Sequence, residues 1–349
     1  MKKALKIIGI ILLIIVILVV VLIGAAYFYV KGKLNKINYV DIDKSSLEIS
    51  EKSRDDLSNY RNIAIFGIDN RVQDRDLSYY AGNNRTDCIM IASINKTTNE
   101  VRLVSIYRDM FVDLGESGLE NINEAYSIDG EQLSIATINK NLDLNITEFV
   151  TANFLAVANL VDSIGGIELD ITSDELKFIN NYIKGIKQDT GLSSSNVTKK
   201  GKQQLNGVQA VAYCRIRYTD GGDHKRTERM RTVLTKCFEK LKTKNVAELN
   251  KIADNLLPQI STNIKSNEIF SMIPEIVKYD IGKSEGWPYK VIDKSIKNRW
   301  HGYPCSLETN VVQLHKELFP DVEYEVSDTV KNISERIKEV SGYDENSEK

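Results

Sequence analysis

The chain has 349 residues, 42% of them hydrophobic and 27% charged, a composition that excludes disorder over most of its length and suits one large domain or two small ones. The 46 lysines and arginines against 48 aspartates and glutamates leave a formal net charge of -2. That balance excludes a general nucleic-acid binder, which needs a basic excess over its whole domain to neutralise many phosphates, so any anion site is local.

Residues 1–6 form a short head carrying Lys2, Lys3 and Lys6, and Ile7 to Val30 contains no charged residue. At the helical rise that run reaches about 36 Å, enough to cross a hydrocarbon core of about 30 Å. Gly24, Ala25 and Ala26 could pass for a signal-peptidase site, but the apolar run exceeds the usual roughly 7–15 residues of a cleaved leader. Lys31, Lys33 and Lys36 follow the span, so positive charge flanks both ends and does not set its orientation. A six-residue head before a large soluble body predicts a single-pass type II anchor over 7–30, with the body outside the cytoplasm.

Residues 31–60 are polar and irregular and read as a stalk, and the globule is predicted to begin at Arg61. Asn62–Ile68, Asp87–Ile94 and Val101–Ile106 are short Ile- and Val-rich runs, the pattern of buried strands, with a polar turn over 95–100. Helical spacing covers 131–141 and 147–161, and the Ser163-Ile164-Gly165-Gly166 stretch ends the second helix. Ile167–Ile171 is another strand candidate, which continues an alternating α and β order. Helices are then predicted over 204–214 and from about Arg226, where Met230, Val233, Leu234, Cys237, Phe238 and Leu241 form one apolar stripe. This start would put Arg226 and Arg229 in the first turn. Further helices are predicted over 246–257, 267–278 with Ser266 as N-cap, 307–318 after Ser306, and in the tail from Asp328.

Cys88, Cys214, Cys237 and Cys305 show neither a C-x-x-C pair nor metal-ligand spacing, so they read as small buried hydrophobes, with one or two disulfides as the alternative. Asp69 closes the first strand and Asp87 opens the second. Two carboxylates meeting at one sheet edge suit magnesium, which takes one or two of them and leaves its other positions to phosphate oxygens and water; an aspartate at a strand end also serves as an ordinary turn or cap residue. The run CRIRYTDGGDHKRTERMR sets Arg215, Arg217, Arg226 and Arg229 around a Gly-Gly turn. Guanidinium groups offer planar paired donors to phosphate, and a helix start adds free N–H groups. The alternative is a solvated basic face paired with Asp220, Asp223 and Glu228. Lys225 and Arg231 read as surface charge. P-loop, dinucleotide-binding, serine-hydrolase elbow and zinc-protease motifs are all missing from the sequence.

Read in order, GID, NRTD, SIYRDM, NINEAY, VDSIGGIELDI and GKQQLNGVQAVAYCRIRYTDGGDHKRTERMR resemble the LytR-CpsA-Psr family of membrane-anchored cell-wall enzymes. The resemblance covers about Arg61 to Thr243, with Thr262-Asn263 further on. It implies a three-layer α/β/α sandwich around a central mixed sheet, over a catalytic domain of 61–325 with a C-terminal helix and tail over 326–349. It also implies a deep apolar pocket for a polyprenyl chain. The implied activity is a magnesium-dependent phosphotransferase of the Gram-positive cell wall. It attaches a glycopolymer from an undecaprenyl-pyrophosphate carrier to peptidoglycan and releases undecaprenyl phosphate, outside the plasma membrane.

By motif, Asp69 and Asp87 would hold Mg2+; Arg85, Arg108, Arg215, Arg217, Arg226 and Arg229 would bind the pyrophosphate. Asp87, Arg108, Asp109 and Arg217 would be catalytic, with Asp87 or Asp109 as the base that takes the sugar hydroxyl proton. Four positions depart from the family pattern. Tyr107 and Met110 replace the proline and threonine of S-I-P-R-D-T, Asn121 replaces a common lysine, and Met230 replaces a common glutamine. The stretch Arg71–Asn83 is also long. The missing lysine motivates an alternative, a non-catalytic polyprenyl-phosphate binding or carrier-sensing module. A transcriptional regulator finds no basic helix-turn-helix to support it.

Overall fold

The computed structural model describes residues 37–68, 85–296 and 299–347. The predicted span 7–30, the candidate metal ligand Asp69 and the stretch 71–83 lie outside the described residues. Among those described, no helix is long and apolar enough to cross a membrane.

Seven strands form the central sheet: β1 (Asn38–Tyr39), β2 (Tyr60–Ile68), β3 (Thr86–Asn95), β4 (Glu100–Ile106), β7 (Glu148–Asn153), β10 (Ile260–Thr262) and β11 (Asp280–Trp287). Their order is β1-β10-β7-β2-β3-β4-β11. The sheet is mixed, because β2 pairs parallel with β7 and antiparallel with β3, while β4 pairs antiparallel with β3 and parallel with β11. Small two-stranded ladders join β5 (Phe111–Asp113) to β6 (Leu119–Asn121), β8 (Ile167–Ile171) to β9 (Gly201–Leu205), and β12 (Val291–Ile296) to β13 (Arg299–Pro304).

The helices are α1 (Glu51–Asp56), α2 (Glu124–Leu142), α3 (Phe154–Ser163), α4 (Ser173–Thr190), α5 (Gly207–Arg215), α6 (Gly222–Leu241), α7 (Val246–Leu256), α8 (Ser266–Met272), α9 (Leu307–Leu318) and α10 (Asp328–Ser341). Successive strand residues point to opposite faces, and the two faces of β2 feed two cores. Ala64, Phe66 and Ile68 pack with Ile135 and Ile138 of α2, Val311 and Leu314 of α9, and Ile333 of α10. Ile65 packs on the opposite side, with Val161 of α3, Ile183 of α4, Val211 of α5 and Val233 of α6. Helices therefore cover both faces, the three-layer arrangement expected from the family resemblance.

Several boundaries differ from the sequence reading. The stalk over 31–60 is corrected within its described part: β1 pairs with β10, and Leu47 and Leu57 are fully buried in the core, so the chain from Ile37 belongs to the globule. The helix predicted over 147–161 is a strand followed by a helix. Glu148–Asn153 fills the slot between β2 and β10, and the Asn153 side chain then caps α3 by accepting from the Ala156 N–H at 2.9 Å. Sheet pairing decides between the two periods where a short apolar run suits both.

The predicted helix 267–278 stops as α8 at Met272, because Pro274 restricts Ile273 and has no N–H to donate; Lys265 rather than Ser266 is its N-cap. Helix α6 begins at Gly222 on a Gly221 with φ of 85°, so Arg226 and Arg229 lie beyond the first turn. The predicted end of α3 holds: Gly165 and Gly166 have positive φ, and Gly166 N–H closes on Val161 O at 2.7 Å. The α10 helix is also where the tail pattern puts it, and Val330, Ile333 and Ile337 dock it onto the core.

Candidate active site

The carboxyl ends of β2, β4 and β7 and the start of β3 share one edge of the sheet. Opposite β2, Gly67 pairs with Cys88 while Ile68 pairs with Thr86, so Asp87 is the extra residue of a β-bulge. A bulge re-aims the side chain it carries, and here Asp87 and Cys88 line the same cavity. Gly67 permits the close approach, since a Cβ there would lie 2.7 Å from Cys88 Cβ.

Three arginines from three segments converge on Asp87. Arg108, just after β4, pairs with its Oδ1; Arg217, in the loop after α5, stands 3.5 Å from it; Arg226, from the second turn of α6, stands 3.4 Å from it. Asp223 reinforces the set, at 2.9 Å from Arg226 Nε, 3.7 Å from Arg217 Nε and 3.8 Å from Arg108 Nε. Burial pushes the Asp87 carboxyl up, but Arg226, Arg108 and Arg217 outweigh it and hold the group below the usual aspartate range. Asp109, 3.6 Å from Arg108, shifts the other way: burial raises its carboxyl, Arg108 opposes, and Asp223 adds to the rise. Arg217 loses proton affinity because burial and repulsion from Arg226 and Arg108 exceed the pull of Asp87 and Asp223.

All three arginines approach Oδ1 of Asp87, and Oδ2 receives none of those contacts. A carboxylate oxygen of that kind is the hard donor that magnesium takes. Among the described residues, no group of three or more His, Cys, Asp or Glu could hold a metal ion.

Behind Asp87 lies an apolar cavity of about 740 Å³, open at its mouth. Ile68, Phe154, Val157, Leu160, Val211 and Met230 contribute to its wall, together with Cys88, Cys214 and Cys237. Cys88, Cys214 and Cys237 are free thiols. Burial raises Cys88 and Cys237 to about 12, which keeps them protonated, so they act as the small hydrophobes that the sequence indicated.

The LytR_cpsA_psr family model matches residues 25–296. The chain belongs to this family. Among curated LytR-CpsA-Psr relatives, the polyisoprenyl-teichoic acid–peptidoglycan teichoic acid transferase TagU of Enterococcus faecalis is 29% identical over 68% of this chain and 74% of its own. TagV of Bacillus subtilis, which bears the same transferase name, is 28% identical over 66% of this chain and 59% of its own. The solved structure of the LytR-CPS2A-psr family protein YwtF (TagT) with bound octaprenyl pyrophosphate lipid aligns with a TM-score of 0.55. That alignment has 21% identity and covers 79% of this chain and 96% of that one; the likeness is one of fold.

The LytR-CpsA-Psr motifs do not all meet in one place. Asp87, Arg108, Asp109, Arg217 and Arg226 are gathered at the bulge. Arg85 stands at the rim, 2.7 Å from Glu124. Arg215 pairs with Asp189 at 3.3 Å and lies over the Phe154 ring, 4.6 Å from its centre. Arg229 is turned inward, bonded to Glu175 at 2.8 Å, Ile216 O at 3.0 Å and Thr219 Oγ1 at 2.7 Å. Arg229 thus ties down the loop that carries Arg217, and its own donors face the fold. Arg231, read as surface charge, is buried, whereas the Lys225 side chain is 43% exposed and pairs with Glu228.

The motif departures have local explanations. The Tyr107 ring packs at a tilt against His224, with centres 4.0 Å apart, and needs Gly286 beside it, where a Cβ would meet its hydroxyl at 2.2 Å. Asn121 is buried; its Nδ2 donates to Trp300 O at 2.9 Å, and its Oδ1 meets His301 Nδ1 at 2.7 Å. Arg299 lines the same cleft as Asn121, so a cation is present there despite the missing lysine. Sequence reasoning missed Arg299, Trp300 and the anchoring role of Asp223. The first two sit on β13, far along the chain from every motif, and only the fold brings them to the site.

Proposed function

We propose that this chain transfers a glycopolymer phosphate from an undecaprenyl-pyrophosphate carrier to a peptidoglycan hydroxyl, on the outer side of the membrane to which residues 7–30 anchor it. One observation carries the reading: Asp87 belongs both to the wall of the apolar cavity and to the arginine cluster. A cavity lined by Ile, Val, Leu, Phe and Met takes a prenyl chain, and donors at its mouth take the phosphates that follow it. The transferase names of TagU and TagV and the lipid bound to TagT agree with this assignment.

Asp87 and Asp223 pre-orient Arg108, Arg217 and Arg226, so that little reorganisation accompanies substrate binding. The acceptor hydroxyl oxygen bonds to the phosphorus that carries the glycopolymer. The bond from that phosphorus to the oxygen of the polyprenyl phosphate breaks, and the leaving phosphate departs with the electron pair toward the arginines. Asp109, whose raised carboxyl stands beside Arg108, takes the hydroxyl proton.

With Asp109, the three arginines and three aspartates already balance one another in formal charge. A pyrophosphate diester therefore brings negative charge that a divalent cation would offset. Magnesium, held by Asp87 and the motif partner Asp69, would supply that neutralisation.

The test is a transfer assay with purified protein, magnesium, a polyprenyl-pyrophosphate oligosaccharide and peptidoglycan strands. Linked product should appear together with free polyprenyl phosphate. Tight retention of the lipid with no turnover would refute transfer and favour a carrier-binding module.

A further inference from the structure

Two clefts meet beside the arginine cluster, and they differ in charge. One, of about 800 Å³, is faced by Arg85, Arg108, Arg217 and Arg299, with Glu124 paired to Arg85 and Arg299. The other, of about 940 Å³, is faced by Tyr107, Asp109, Asp223, His224, Asp293 and Trp300, with no lysine or arginine among its described lining residues. Asp109, Asp223 and Trp300 border both clefts.

The first cleft suits phosphate. The second repels it, since carboxylates disfavour an incoming polyanion, while they accept hydrogen bonds from neutral hydroxyls. Trp300 is 54% exposed, unlike Trp287, which is fully buried and donates its indole N–H to Asn310 O. Its backbone is fixed nonetheless, by pairing with Ser295 across the β12–β13 ladder and by the Asn121 bond to its carbonyl. A large flat ring on a fixed backbone at the rim of a cleft offers apolar contact with few rotatable bonds to order. Other lining residues are also braced, by the Tyr107–His224 ring contact and by His224 Nε2 at 3.2 Å from Asp293.

We infer that the Trp300 cleft is the acceptor subsite, which takes an uncharged pyranose ring of a glycan strand with its C–H face on the indole and its hydroxyls toward Asp109, Asp223 and Asp293. The acceptor and the pyrophosphate then meet at Asp109, which borders both clefts. This assignment rests on the transfer reading above, and it gives Tyr107, a departure from the family motif, a place in the acceptor wall.

The experiment compares wild type, Trp300→Ala and Trp300→Phe, all full-length. At saturating donor, Trp300→Ala should raise the acceptor KM about tenfold, in line with truncation of an aromatic anchor. Trp300→Phe should restore most of it. The donor KM should change less than the acceptor KM. An unchanged acceptor KM, or a rise in donor KM instead, overturns the assignment. Calorimetry with a neutral β-linked N-acetylglucosamine tetramer separates the two readings: if wild type transfers nothing yet binds the tetramer through Trp300, the transfer reading fails and the glycan subsite stands. If neither variant changes tetramer binding, the subsite fails.

Discussion

Arg217 and Arg226 touch the same carboxylates but should respond differently to removal. Arg226 is 1% exposed and lies 2.9 and 3.0 Å from the two oxygens of Asp223. Arg226→Ala leaves buried aspartate charge without its main partner, a loss of about 3–5 kcal/mol. The Arg217 side chain is 40% exposed, with contacts of 3.5 and 3.7 Å, so solvent screens it and Arg217→Ala should cost about 0–1 kcal/mol of stability.

Turnover should show the reverse pattern. Arg217 is the most exposed of the three guanidiniums and has the longest contact to Asp87, so it is the one best placed to reach an arriving phosphate. Losing one such donor should lower kcat by about 10²–10³. Urea denaturation and the transfer assay on both variants separate the roles. Equal stability losses in the two variants, or an Arg217→Ala enzyme within threefold of wild-type turnover, would refute this division.

Two pH dependences follow from the same reasoning. Asp109 must be ionised to accept a proton, and burial with the Asp223 charge raises its carboxyl. The acid limb of kcat/KM should therefore lie above the ordinary aspartate range and move to lower pH in Asp223→Asn; a limb that stays put rules out Asp109 as the base. His315 is buried, donates from Nε2 to Leu142 O at 2.8 Å and stacks on Tyr324, and burial lowers it from 6.5 to about 4. The unfolded chain binds this proton first, so stability should fall as pH drops from about 6.5 to about 4 and lose up to about 3 kcal/mol from this group. The difference in urea midpoint between wild type and His315→Gln should narrow over that window, and a constant difference would show that His315 does not titrate with unfolding.

The strands of the central hairpin, the helix-ending glycines and the gathering of Asp87, Arg108, Asp109, Arg217 and Arg226 were legible because each depends on local pattern or motif order. Three features were not. The slot filled by β7 exists only once β2 and β10 are in place, and Phe149 and Val150 suit either period. Arg229 and Arg231 carry charge but lie on the inward side of α6, where Glu175, Thr219 and the Ile216 carbonyl satisfy Arg229; composition alone made both look like site or surface. Trp300 and Arg299 are brought to the site by a hairpin whose pairing begins at Val291, and no spacing rule links them to the arginine-rich motif that ends at Arg231.

Met230 is the departure that the structure relocates. Its neighbours in sequence suggest the phosphate site, since Arg229 and Arg231 flank it, yet successive helical positions point about 100° apart. Met230 faces the apolar cavity, beside Val233 and Cys237. A glutamine there would carry an amide into a wall of aliphatic groups and thiols, where each unsatisfied polar group costs about 1–3 kcal/mol. Methionine fills the same length without that demand and adapts to an irregular chain. The substitution therefore alters the wall of the apolar cavity and leaves the arginine cluster as it is, so under the proposed transfer it would bear on which lipid the cavity accepts rather than on whether phosphate is bound.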